Sequence, residues 1–172
     1  SVITMEPGVY LPGVGGVQVY PLDRGANTVG LVLVDQTGKP ASQALVEQAQ
    51  DHIDPDSQGV GQGAAPIGAY CYVSAAQSQA VALAVTVTAA EGAEQEAVTG
   101  AIREAVAGYL REEALTAYRP AVGGKGSYTV SYARIGAELL AAEGVEDYEG
   151  LTVNGGTANL NIPARYAAVL GE

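Results

Sequence analysis

The sequence has no tryptophan and no phenylalanine, and only one cysteine, one histidine and one methionine among its 172 residues. Without Trp or Phe, a core has to be built from Ala, Val, Leu and Ile, with the ten tyrosines at its margins. The single Cys71 rules out an internal disulfide and gives no sign of an oxidising compartment. It sits in an alternating apolar pattern and reads as a small buried group. Charge is scarce too. Asp, Glu, Lys and Arg make up 16% of the chain, against roughly 25% in ordinary soluble domains. Cations are the scarcest: eight Lys and Arg stand against nineteen Asp and Glu, for a net charge of −11. Nucleic-acid binding depends on cations that neutralise phosphates, so nucleic acid and anionic membranes are poor partners. Long apolar runs are missing as well. The longest, Ala80 to Val85, is far short of the roughly 20 residues that span a bilayer. The first residues, SVITMEPGV, lack the basic start and apolar stretch of a secretory signal. They also lack an initiating Met, which leads us to expect a fragment of a longer protein.

The low charge leaves two readings open. Either Gln, Ser, Thr, Asn and Gly do the solvating, or part of the surface is covered by other subunits.

What is present is clear punctuation. Pro7-Gly8 and Pro12-Gly13 mark turns. Val17 and Val19 start a strand, and Thr28 to Val34 forms a second, antiparallel to it. Gln36 to Pro40 is a turn. A helix over 41–53 follows, with Ser42 as N-cap and Leu45, Val46, Ala49 and Ile53 on one face. Asp54-Pro55 ends it. A glycine-spaced loop over 59–68 leads to a strand alternating Ala69, Cys71 and Val73 with Tyr70, Tyr72 and Ser74. Ala80 to Thr88 is a regular strand. Glu94 to Glu112 is the longest helix, with its acidic start at the positive end of the helix dipole. Residues 113–126 read as irregular. A short strand over 127–130 precedes a helix over 132–143, capped by Ser131 and closed by Gly144. Asn154-Gly155 then offers the positive φ angles of a type I′ turn between strands at 145–153 and 158–162. The expected fold class is α+β, with two small two-layer modules, β-β-α-β over 1–75 and β-α-β-α-β-β over 76–172.

No catalytic, cofactor-binding or metal-binding residue is expected. Gly13 and Gly15 resemble a dinucleotide loop, but position 18 is Gln18 and the segment precedes a strand. Gly124-Lys125 resembles a phosphate loop, but its magnesium-binding position is Gly126. Asp54, Asp56, Gln58 and Gly59 match the start of a calcium loop whose last ligand position holds Ala65, so helix termination is preferred. His52 and Cys71 could form a nucleophilic pair only through a fold that local spacing does not reveal. Glu143, Glu146, Asp147 and Glu149 could do acid–base chemistry, but such a run is more often a solvated edge that discourages strand pairing.

Two stretches carry a resemblance. One is His52-Ile53-Asp54-Pro55, followed by the glycine loop and Ala65-Pro66-Ile67-Gly68-Ala69. The other is SYARIGAELLAAEGVEDYEGLTVNGGTANLNIP, residues 131–163. Their order and spacing resemble the baseplate J-like proteins of contractile-tailed phages. Ala168 to Gly171 resembles the family's segment before a final strand, which is expected to be absent here. The last strand, with Asn159 and Asn161 outward, is then expected to pair with that missing strand or with a neighbouring subunit. The resemblance implies a structural protein of a phage or prophage baseplate wedge, not an enzyme. It would act by protein–protein contact in baseplate assembly and sheath contraction, without cofactors. The implied partners are hub and neighbouring wedge subunits in a symmetric ring. The implied location is the virion tail, assembled in the bacterial cytoplasm. The rival readings are a tail-associated carbohydrate- or receptor-binding module and, more remotely, a small hydrolase using Cys71 and His52.

Overall fold

Ser42, Ser131, Asn154 and Gly155 hold the local geometry their residue types favour. The computed structural model describes residues 11–119 and 126–171. Ser42 Oγ accepts from Leu45 N at 3.2 Å, and Ser131 Oγ accepts from Arg134 N at 3.3 Å, each satisfying an amide of a first helical turn. Asn154 and Gly155 take φ values of 49° and 78°, as a primed turn requires.

The first half contains β1 (Val14–Pro21), β2 (Thr28–Asp35), α1 (Gln43–Ile53) and β3 (Tyr70–Ala75). β1 pairs antiparallel with β2, and β2 pairs parallel with β3 across the α1 crossover. The helix lays Leu45, Val46, Ala49 and Ile53 on the sheet's Val17, Leu31, Leu33 and Cys71. Each such aliphatic contributes about 1.5–3 kcal/mol when fully buried.

The second half contains β4 (Gln77–Val81), β5 (Leu83–Ala89), α2 (Gln95–Ala117), β6 (Tyr128–Val130), α3 (Tyr132–Ala141), β7 (Val145–Val153), β8 (Leu160–Ile162) and β9 (Tyr166–Leu170). Its strands pair two by two. β4 runs parallel to β9, and β5 and β6 run antiparallel to β7 and β8. Val106, Leu110, Ile135, Leu139, Leu151 and Ile162 form its core. The whole is a mixed α+β protein of small sheets covered by helices.

Five expectations need correction. Ala80 to Thr88 is not one strand: the chain breaks at Ala82, where Asn154 Oδ1 accepts from Ala82 N (2.7 Å) and Asn154 Nδ2 donates to Ala80 O (3.1 Å). The long helix does not stop at Glu112 but runs to Ala117, because Ala114 and Tyr118 are buried behind it. The third helix ends at Ala141, short of Glu143. The strands flanking Asn154-Gly155 do not ladder together. Only Val153 and Gly156 bridge, while β7 pairs with β5, and β8, with Asn161, pairs with β6. Ala168 to Leu170, expected to lie before a strand, lie in one.

Tyrosine is not confined to the margins either. Tyr118 is fully buried where the halves meet, among Val32, Val34, Ala76 and Ala167. Its carbonyl accepts from Val17 N (2.7 Å) and its hydroxyl donates to Tyr166 O (2.9 Å). Gly16 lies so close that a Cβ there would stand 2.7 Å from Tyr118 Cβ. The glycines at 15 and 16 therefore serve close packing. A second tie is polar. Gln18 Nε2 donates to Gly126 O (2.7 Å), Gln18 Oε1 accepts from Arg165 N (3.1 Å), and Arg165 pairs with Asp23 while lying 4.0 Å over the Tyr20 ring. The hydrogen bond from Arg165 holds the Asp23 carboxyl below its ordinary value.

Candidate interaction surfaces

The calcium-like segment turns out to be a latch. Asp54 is 2% exposed, and its two oxygens accept from Gly59 N (2.9 Å) and Cys71 N (3.0 Å). Both carboxylate oxygens are thus turned inward to the backbone. Gln50, which the sequence reading passed over, completes the latch. Its Oε1 accepts from Val73 N (2.9 Å), and its Nε2 donates to Cys71 O (2.9 Å). Ser57 Oγ donates to the same carbonyl (2.7 Å). The only sequence signal was a polar residue on the turn of α1 next to Ile53, Asp54 and Pro55. Among the described residues no group of three or more His, Cys, Asp or Glu could hold a metal ion.

Cys71 is buried, and that burial, with the nearby Asp54 charge, pushes its thiol above the ordinary value. This is the opposite of an activated thiolate. His52 is exposed on α1, and its carbonyl accepts from Ala64 N (2.9 Å). Glu143, Glu146, Asp147 and Glu149 are exposed at and beside β7. The Gly124-Lys125 segment lies outside the described residues.

What the latch positions is an apolar loop. With Asp54 and Gln50 holding both of its ends, residues 59–70 present Val60, Tyr70 and Ile67, the last 84% exposed. Gly59, Gly61 and Gly68 hold positive φ, and a Cβ on Gly63 would stand 2.4 Å from Ile53 O. The loop is therefore a shaped structure whose glycines permit close approach to α1. An exposed Ile beside an exposed Val and Tyr suits contact with another protein.

A second surface is a groove of about 610 Å3 between β5 and α2. One wall carries Leu83, Val85 and Val87, the other Val98, Ile102 and Val106, and Leu170-Gly171 close one end. Arg103 Nη1 donates to Gly171 O (3.1 Å) there. Among the described residues no helix is long and apolar enough to cross a membrane.

Comparison with known proteins places the chain within a family. Residues 9–75 match a family described as the Baseplate J-like central domain, and residues 81–172 match the Baseplate J-like protein C-terminal domain. Two curated relatives come from Bacillus subtilis (strain 168). An uncharacterized protein, YqbT, is 40% identical over 75 residues, and the phage-like element PBSX protein XkdT is 39% identical over 75 residues. In each case the match covers 44% of this chain and 21% of the relative, so about a fifth of those proteins is spanned. A chain in a cryo-EM structure of the anti-feeding prophage baseplate, 6-fold symmetrised, superposes with a TM-score of 0.58 at 12% identity. The superposition covers 96% of this chain and 35% of that one. At that identity it is the fold that is shared.

Proposed function

Because the chain belongs to the baseplate J-like family, we propose that it is a structural component of a phage or prophage baseplate wedge, acting by protein–protein contact in baseplate assembly and sheath contraction. The observation that carries this is the pair of family matches, central domain then C-terminal domain, in order over residues 9–75 and 81–172. Supporting it are the scarce charge, the apolar loop around Ile67 and the apolar groove beside β5. The role is non-enzymatic. The only thiol is buried with its proton held on, and the carboxylate that lies beside it in the fold is committed to backbone amides. The partners are hub and neighbouring wedge subunits in a symmetric ring at the tail end. Assembly takes place in the bacterial cytoplasm. Residues 1–75 and 76–172 act as two modules, held together through Tyr118 and the Arg165 cluster.

The test is co-purification. Affinity-tagged chain, expressed from its own locus, should be recovered with intact contractile tails and with other baseplate proteins. Recovery as a free protein, with tails assembling normally in its absence, would sink the reading.

A further inference from the structure

In a chain with so little charge, the one ion pair among the described residues, Arg165 with Asp23, joins the two halves. It stands on a row that crosses the first sheet. Tyr20 pairs with Gly30, and Gly30 with Tyr72, so the three share one face. Over them sit Arg165, Asp23 and Arg24 in the same order. Arg165 lies 4.0 Å over the Tyr20 ring, and Arg24 lies 4.0 Å over the Tyr72 ring. Asp23 covers Gly30, where a Cβ would stand 2.5 Å from its Oδ2. Backbone strain accompanies the pair on both sides. Arg165 holds φ at 70°, and Leu22, just before Asp23, at 59°. Leu22 is 67% exposed, so burial of its side chain does not account for that conformation. Left-handed backbone at such residues is costly and persists only where surrounding contacts hold it.

Other ties between the halves gather toward the opposite end of the same sheet. The chain passes from one half to the other at Ala76, whose N donates to Leu33 O (2.9 Å). Tyr118 is buried against Val32 and Val34, and its carbonyl accepts from Val17 N. Arg111 Nε donates to Gln36 O (2.9 Å). From Gly30 to Val34 is about 13 Å along β2, at roughly 3.3 Å per residue. Gln18 lies between the two ends, donating to Gly126 O and accepting from Arg165 N. Those are neutral bonds that water can replace. One end of the contact is thus covalent, apolar and buried. The other is charged and partly exposed.

We propose that Arg165 and Asp23 form a releasable clasp. Opening it lets the second half swing away from the Tyr20–Gly30–Tyr72 row about a fixed joint at Tyr118 and Ala76, with each half still folded. Release relaxes the left-handed backbone at Leu22 and Arg165, which offsets part of the lost ion pair. Charges open to solvent are screened by salt, so salt favours the open form. The joint's buried, neutral bonds do not respond in that way. The clasp rests on the geometry of the chain alone. It adds a moving part to the baseplate reading without depending on it.

Amide hydrogen exchange of the unaltered chain is the first test. Arg165 N and Val17 N both bond across the halves, to Gln18 Oε1 (3.1 Å) and to Tyr118 O (2.7 Å). The Arg165 amide should be at least about tenfold less protected than those of Val17 and Ala76, because clasp opening exposes it and leaves them closed. Salt at about 1 M should lower its protection further and leave theirs unchanged. Residual dipolar couplings then read the orientation of the halves. One alignment tensor should fit both halves of the wild type. R165G and G30A should each need two, with the amide pattern of each half's core unchanged. R165G removes the side chain and accepts positive φ, while G30A displaces Asp23 without removing a charge. Either variant decides the matter if the other does not fold. Equal protection of the three amides, or a single tensor in the folded variants, would overturn the proposal. So would loss of the first half's amide pattern in both variants, since the pair would then hold one half together instead of joining two. Both measurements use the chain by itself, so their failure leaves the baseplate role standing, and failure of co-purification leaves the clasp measurable.

Discussion

Removing the carboxylate of Asp54 leaves two buried amides, those of Gly59 and Cys71, without an acceptor. Each unsatisfied buried donor costs about 1–3 kcal/mol. D54A should therefore lose about 2–4 kcal/mol in urea unfolding, with D54N near the lower end because one oxygen remains. A loss below about 0.5 kcal/mol would mean that the latch is replaced by solvent. The latch was invisible in the sequence for a plain reason. Asp54 before Pro55 has a sufficient local explanation as a helix stop, and its partner Cys71 lies 17 residues on. Tyr118 was misjudged similarly. A tyrosine just past a helix reads as a margin residue, but here burial holds its hydroxyl proton well above the ordinary value of 10.0. A group whose pKa is raised by folding contributes stability that is intact below its unfolded value and is lost as pH climbs past it. Stability should thus fall as pH rises above about 10, and Y118F should fall less steeply over that range. Parallel pH curves for the two proteins would contradict this burial.

At the scale of elements, the Asn154-Gly155 turn was readable because positive φ at two successive positions restricts composition severely. Its consequence was not readable. A turn of this kind predicts that its flanking strands pair with each other, yet β7 goes to β5 and β8 goes to β6. The asparagine side chain supplies the reason, since it clamps the break at Ala82 between β4 and β5. That break left no mark in the apolar alternation, which runs unchanged through Val81, Leu83, Val85 and Val87 while the pairing partner changes from β9 to β7. Gly155 tests the turn cleanly, because a Cβ there would meet nothing within 4 Å. Any effect of G155V then comes from φ alone, about 1–2 kcal/mol for an L side chain held left-handed. In a chain of this size that corresponds to a melting temperature lower by about 2–8 °C. An unchanged transition would show that the turn does not need its positive φ. The helices were legible throughout, since Ser42 and Ser131 cap where they were expected to. Their C-terminal ends were less so: α3 stops two residues early, and α2 runs on because Ala114, Leu115 and Ala117 continue it without an apolar stripe strong enough to announce it.

For the whole molecule, the α+β class and the absence of phenylalanine and tryptophan belong together. A core of small aliphatics favours thin layers, and three clusters of buried residues result, the third lying between the halves around Tyr118. The low charge noted in the sequence now has places to refer to: the Val60, Ile67 and Tyr70 loop on one half and the β5–α2 groove on the other. Neither could be located from sequence. The loop's exposure depends on the Asp54 latch, and the groove depends on how α2 lies beside β5. The family was legible because its motifs are short, ordered and spread over both halves. The partners were not, because a contact surface for another protein needs no fixed residue types, only exposure, shape and an unsatisfied edge. The most direct test of the wedge role is position. A gold-labelled tag on the chain, imaged by electron microscopy on purified contractile tails, should appear at the distal end of the tail, around the tube and below the sheath. Label along the sheath, at the head-proximal end, or absent from tails altogether would contradict the account.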